Sequence, residues 1–260
     1  MNLTWADILP DKPTPCSTPP RLPKSPTRDS DAAAKRSLWP RLDRPDEDGR
    51  PDEVLAFNLV PKLAALRGLS VEGCRLAAER GLLRFCEWKG RLCWAVTDGR
   101  SINAQVRRMS GKPWQEIGAK AWTLPGSRAS WPLGVEESRR FPISLLVEGG
   151  PDILAAHHFA FAHRRQADAA VVGMLGAANK IPDDALPAFR GKRVRIMAHA
   201  DEAGIRGAKT WRNQLRTVGA VVDAADFSTV RKSNGETVKD LNDAADIHPE
   251  DASQMEDLIP

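Results

Sequence analysis

The sequence has no Cys-x-x-Cys pair, no long apolar run and little net charge. Its four cysteines, Cys16, Cys74, Cys86 and Cys93, are scattered, which argues against a zinc ribbon and for reduced thiols in a cytoplasm. No stretch approaches the roughly 18 apolar residues of a transmembrane helix, so no membrane partner is expected. The opening Met1-Asn2-Leu3-Thr4-Trp5-Ala6-Asp7 lacks the basic and apolar parts of a signal peptide, and a cytoplasmic location is expected. A formal net charge of +4 permits a nucleic-acid partner without requiring one. With 260 residues, 42% hydrophobic and 28% charged, the chain can build one or two domains with a real core.

Proline is concentrated near the start. Residues 8–51 carry Pro13, Pro15, Pro19, Pro20, Pro23 and Pro26 among Ser, Arg and Asp. Such a composition buries too little apolar surface to order itself, so residues 1–51 are expected to be a disordered tail. Within it, Trp5 with Ile8, and separately Trp39, could act as short docking motifs for a partner such as a helicase.

Residues 52–82 read as two short helices, with Ser70 as an N-cap and Gly81 as a stop. Leu83–Trp88, Leu92–Thr97 and Ile102–Met109, split by Lys89-Gly90-Arg91 and Asp98-Gly99, predict a β-meander. From 143 onward, strands near 143–147, 169–173, 193–198 and 220–225 alternate with helices near 152–164, 182–188 and 203–217. That alternation predicts an α/β fold, a mainly parallel sheet flanked by helices on both faces, preceded by a small α+β subdomain with antiparallel strands.

Polar clusters punctuate this pattern. Leu145-Leu146-Val147 runs into Glu148-Gly149-Gly150-Pro151-Asp152; Val194–Ala198 runs into His199-Ala200-Asp201; Lys239-Asp240-Leu241-Asn242-Asp243 follows. In open α/β sheets ligands sit beyond the carboxyl ends of strands. Clustered carboxylates each make the next harder to ionise, and a divalent cation removes that cost. Oxygen donors suit Mg²⁺ or Mn²⁺, ions that also hold substrate phosphates. Glu148, Asp152, His199 and Asp201 are therefore candidate metal ligands, with Glu148 and Asp201 as candidate catalytic anchors. Asp152 could equally be a helix N-cap, Asp240 and Asp243 a turn and a cap, and Lys239 a solvated lysine. His157, His158 and His163 read as helix-surface residues. Arg107, Arg108, Lys112 and Lys120 interleave with Trp114 and Trp122, and Arg128 with Trp131 extends the stretch. Cations and aromatic faces in this mixture suit a single strand or a nucleotide. Trp88 and Trp94, on alternating strands, read as core.

The motifs VEGGPDILAA, IMAHADEAGIRGAKTW and VKDLND resemble those of the Toprim domain shared by primases, topoisomerases and some nucleases. The chain is similar to the primase catalytic core of bacteria, phages and plasmids, over residues 143–247 and more weakly over 52–142. The resemblance implies a primase-like N-terminal α+β subdomain at 52–142, a Toprim domain at 143–247 and a C-terminal tail at 248–260. The zinc-binding module of bacterial primases has no counterpart in this sequence. The resemblance also implies metal-dependent joining of ribonucleotides on single-stranded DNA, for replication of a phage, plasmid or mobile element. Glu148 matches the family's catalytic glutamate. Arg107, Arg108 and Lys120 would hold template and nucleoside triphosphate, and Lys239, Asp240 and Asp243 would lie near the site as nucleotide contacts. One departure stands out: His199 replaces the first aspartate of Asp-x-Asp, resembling a His-x-Asp variant of phages and mobile elements. An imidazole favours Mn²⁺ or a softer ion, or else weakens metal-dependent catalysis. A Toprim nuclease and a non-catalytic nucleic-acid-binding module are the alternatives, the basic subdomain favouring the first reading over the nuclease and the histidine favouring the module.

Overall fold

The computed structural model describes residues 29–43 and 53–260. The Trp5–Ile8 motif lies outside them. Helices α1 (Asp29–Arg36), α2 (Glu53–Arg67) and α3 (Val71–Glu79) lead into β1 (Leu83–Trp88), β2 (Arg91–Thr97), β3 (Ala104–Arg108) and β4 (Ala121–Thr123). Ser70 caps α3 by accepting from Gly73 N, as expected. The four strands pair antiparallel in sequence order. Lys89 and Gly90 both take positive φ, the geometry of a two-residue hairpin whose twist matches its strands.

The second half contains α4 (Val135–Ser138), β5 (Ile143–Glu148), α5 (Gly150–Ala162), β6 (Ala169–Met174), β7 (Arg193–Met197), α6 (Glu202–Thr217) and β8 (Val221–Ala224). Its strands are all parallel, in the order β6-β5-β7-β8. β5 and β6 are buried along their whole length, β5 as a central strand and β6 at the edge of the sheet, where Leu133 bridges Gly173. Leu145 and Val147 face a core shared with α3, α5 and the inner side of β1–β2; Leu146 faces the opposite core, with Trp211 and Leu215 of α6. The α/β class, the meander and the helix on each face were all expected. The helix expected over 182–188 is instead a single 3-10 turn, Leu186–Phe189, with Pro187 lacking a donor in it.

Four expectations need correction. The stretch read as a disordered tail includes α1, where Ala32-Ala33-Ala34 favour helix. After it, Trp39 Nε1 donates to Pro125 O at 2.5 Å, and Asp43 and Phe85 exchange backbone hydrogen bonds of 2.8 and 3.0 Å beside β1. Trp39→Ala should lower stability by about 2 kcal/mol, from lost burial and one hydrogen bond. A thermal midpoint unchanged by that substitution would show that residues 37–43 are not attached in solution. At the other end, residues 248–260 are no loose tail, because Met255, Leu258 and Ile259 are buried in the central core. On α5, His157 is not on the surface: it is fully buried, its Nδ1 lies 2.7 Å from Ile153 O, and burial pushes its pKa down to about 3. Trp114 and Trp131, read as base-stacking candidates, are also buried, Trp114 in an edge-on contact with Trp122. Trp94 is core, as expected, and Trp88 is partly buried against the outer core.

Candidate functional site

The chain leaves β5 for β6 on one side and then crosses to β7 on the other. The crevice between β5 and β7 is the switch point of the sheet, the usual ligand position in this architecture. Glu148 ends β5. Gly149, at φ 91°, makes the sharp turn into α5, a conformation that L side chains rarely adopt. Asp152 then lies in the first turn of α5, inside the helix and not at its cap. Beyond β7, His199 and Asp201 precede α6, and Asp201 is that helix's N-cap, its Oδ1 accepting from Gly204 N at 2.8 Å. A Cβ at Gly204 would overlap the His199 carbonyl, so glycine is what allows α6 to start so close to the strand end.

The third cluster is brought in by tertiary contacts. Val238 and Leu241 are fully buried and anchor the segment. Ala200 N donates to Lys239 O at 2.7 Å, and Asn242 N donates to Asp152 Oδ1 at 3.1 Å. Asp240 Oδ1 accepts from Asp243 N, and Asp243 Oδ2 accepts from Lys239 N, so both also brace a turn.

The result is a compact donor set. His199 Nε2 lies 2.9 Å from Asp152 Oδ2, and its Nδ1 lies 3.8 Å from Glu148 Oε1. One ligand atom from each of Asp152, His199 and Asp240 falls within 4.8 Å of the others. Glu148 Oε1 accepts from Ala177 N at 3.1 Å, while its buried Oε2 has no hydrogen-bond partner among the described residues. Asp201 stands exposed at the rim.

Burial raises the Glu148 pKa, with Asp201 adding to it and His199 opposing. Burial also pushes Asp152 up to about 6, helped by Asp240 and opposed by the His199 hydrogen bond. For His199, burial disfavours the charged ring. The hydrogen bond and charge of Asp152, with Glu148 and Asp240, outweigh that and raise it to about 9. Without metal, an imidazolium thus sits between carboxylates at neutral pH. The folded-state value exceeds the unfolded one, so this contribution is complete below roughly pH 6.5 and is lost as pH rises through the folded value. His199→Gln should flatten a fall in metal-free stability between pH 6.5 and about 9. The total fall removed over that window is on the order of 1 kcal/mol, given that the ring is partly solvated. Parallel stability–pH curves for both proteins would refute the ion pair.

The fit to a divalent cation is good. One imidazole nitrogen, several carboxylate oxygens, an orphaned Glu148 oxygen and carboxyl groups raised by burial are what a hard or borderline cation relieves.

The basic residues divide. Arg107 pairs in register with Trp94 on the inner face of the antiparallel sheet. Burial lowers its pKa and Arg67 adds to this, while Asp152 and Asp240 oppose it, so its charge is felt at the acidic cluster. Arg108, one residue on, lies over Trp114 on the outer face and donates to Pro113 O at 3.0 Å. Lys120 is exposed just before β4, and Lys239 is exposed beside Asp240.

Sequence reasoning missed Arg67 and Asn242. Arg67 Nε and Nη2 donate to Asn242 Oδ1 at 2.8 and 2.6 Å, and Asn242 Nδ2 donates back to Arg67 O at 3.1 Å. Nothing local could have revealed a pairing across 175 positions; an arginine in the last turn of a helix reads as a match to the helix dipole.

No protein-family model and no curated protein sequence matches the chain. Among solved structures, it is similar to the primase fragment of the bacteriophage T7 primase-helicase protein, with TM-score 0.51 and 16% identity over 75% of this chain and 72% of that one. It is also similar to the zinc-binding and RNA polymerase domains of the Aquifex aeolicus primase, with TM-score 0.48 and 17% identity over 76% of this chain and 55% of that one. The T7 likeness shows that this chain has the fold of a primase catalytic core. No helix among the described residues is long and apolar enough to cross a membrane.

Proposed function

We propose that this chain is a primase-like Toprim enzyme that makes RNA primers on single-stranded DNA by metal-dependent nucleotidyl transfer. The observation that carries the reading is the convergence of Asp152, His199 and Asp240 beside Glu148 at the switch point of a primase-core fold. Mg²⁺ or Mn²⁺ would be held by Glu148, Asp152, His199 and Asp201, with Asp240 joining them. A bound divalent ion supplies charge neutralisation at the phosphates and favours loss of the attacking hydroxyl's proton.

The chain's own residues have distinct tasks in this reading. Glu148 contributes a buried carboxylate whose Oε2 has no hydrogen-bond partner among the described residues. Asp152, held on both oxygens, fixes the orientation of His199. His199 must release its proton to ligate either ion, and its imidazole nitrogen is a better donor for Mn²⁺ than for Mg²⁺. Arg107 faces the same space and would hold phosphate of the nucleotide or the template. Arg108 and Lys120 would serve the template elsewhere on the subdomain. Lys239, Asp240 and Asp243 would border the nucleotide. Single-stranded DNA, nucleoside triphosphates and a replicative helicase are the partners this reading implies, in the cytoplasmic replication of a phage, plasmid or mobile element.

The test is primer synthesis on single-stranded DNA with labelled ribonucleotides, run with Mg²⁺, with Mn²⁺ and with chelator. Template-dependent oligoribonucleotides that vanish with chelator are expected. One observation favours a second reading, a non-catalytic binding module: His199 stands where the family has an aspartate, 2.9 Å from Asp152 Oδ2 and 3.8 Å from Glu148 Oε1, and a protonated ring there would offset charge that a cation would offset. Strand binding without synthesis under every metal condition would sink the primase reading in favour of that one, and strand scission in its place would identify a nuclease.

A further inference from the structure

We infer that Arg67, at the end of α2, is a positioning residue for the acidic cluster, acting through Asn242. The inference rests on the reading that this cluster holds a divalent cation. It goes beyond it by making the helical lead-in part of the site.

Asp152 is the pivot. Its Oδ2 meets His199 and its Oδ1 accepts from the Asn242 backbone N–H. The orientation of Asp152 therefore depends on where residue 242 sits. Three hydrogen bonds fix that place, and all run to one residue of another element: two from the Arg67 guanidinium to Asn242 Oδ1, and one from Asn242 Nδ2 to the Arg67 carbonyl. The carbonyl is available because α2 ends there: Gly68 takes φ 68°, and the chain turns back with Leu69 N donating to Ala64 O. Asp240, two residues before Asn242, belongs to the same short turn, so the clasp sets a second donor as well. Arg67 also acts by charge. Asp152, Asp240 and Asp243 all favour its charged form against the cost of burial, so the guanidinium tempers their mutual repulsion.

The fold does not hang on this clasp. Buried Val238 and Leu241, and the Ala200–Lys239 backbone bond, hold the segment independently. What Arg67 adds is aim. A planar guanidinium fork places two donors on one oxygen, which a lysine ammonium on a flexible stem does not reproduce.

The experiment is Mn²⁺ titration of the full chain, followed by the loss of the free-ion paramagnetic resonance signal. Wild type is compared with Arg67→Lys, Arg67→Met, Asn242→Ala and the Arg67→Met/Asn242→Ala double variant, with Asp152→Asn as the ligand control. Outer-shell partners commonly change metal affinity by roughly 10–100-fold. Arg67→Lys and Asn242→Ala are each expected to weaken Mn²⁺ about tenfold with nearly unchanged metal-free thermal midpoints. The double variant should be no weaker than the worse single one, because both break the same clasp. Wild-type affinity in Arg67→Lys and Asn242→Ala, with affinity lost in Asp152→Asn, would overturn the inference while leaving the metal reading intact. No saturable Mn²⁺ binding in wild type would remove the metal reading and this inference with it. Should Arg67→Met fail to fold, the lysine and Asn242 variants still decide.

Discussion

In the proposed primase reading, Glu148→Gln is expected to abolish primer synthesis, by about 10³-fold or more, while leaving the protein folded. The size follows from removing a charge that stabilises a cation and its bound phosphates, an effect of several kcal/mol in metal-dependent catalysis. The intact fold follows from shape. Glutamine keeps Oε1 to accept from Ala177 N, and its amide occupies the place of the unpartnered Oε2. Stability should not suffer, because burial already penalises the Glu148 carboxylate in the metal-free state. Metal-free Glu148→Gln is expected to melt at or above the wild-type temperature, because the Glu148 pKa is raised even with His199 opposing the burial penalty. The two readouts are a labelled-nucleotide assay with saturating Mn²⁺ and a melting curve in chelator. Full activity in a folded Glu148→Gln protein would remove Glu148 from the chemistry.

The parallel sheet was legible because β5 and β6 are short apolar runs, β7 and β8 keep apolar residues beside Arg193, Arg195 and Asp223, and helical stretches separate them; the meander was legible because glycine turns split it. Glu148, Asp152 and His199 were legible for the same reason: strand ends and helix starts bring side chains together wherever neighbouring strands are parallel. Other features were hidden by contacts between distant positions. β4 is only three residues long and pairs through Gln105–Thr123, Val106–Trp122 and Arg107–Ala121. The burial of His157 arises because α5 is covered by the sheet and by α3, whose Gly73 lies against the His158 backbone. Residues 29–43 are attached by distant contacts inside a proline-rich composition: Arg36 and Trp39 donate to Gly126 O and Pro125 O, Trp39 and Leu42 pack on the outer core, and Asp43 pairs with Phe85. The Arg67–Asn242 clasp has no local signature at all. One feature was readable and went unread: neighbours in a strand point to opposite faces, so Arg107 and Arg108 could never share one site.

That parity sets the last expectation. In the row Phe85, Trp94, Arg107, Ala121, the first two belong to the central core, and Gly150 at the start of α5 lies against Trp94. Arg107 therefore points towards the crevice, with Asp152 and Asp240 acting on its charge and its Nε without a hydrogen-bond partner among the described residues. Arg108 is engaged on the far face with Pro113 and Trp114. A half-buried guanidinium repelled by Arg67, its Nε without an acceptor among the described residues, is suited to a phosphate oxygen. A hydrogen bond to a charged group is worth about 1.5–3 kcal/mol, so Arg107→Gln should weaken nucleoside triphosphate binding in Mn²⁺ by roughly 10–100-fold. Arg108→Gln should change it by less than about threefold, the scale of an exposed charge. If Arg107 instead holds the template, the loss will fall on single-stranded DNA, equally for all sequences, with a salt slope shallower by about one. Equal effects of the two substitutions on both ligands would mean that strand parity does not divide the basic residues. The inner face of the antiparallel sheet would then lose its claim to the phosphate.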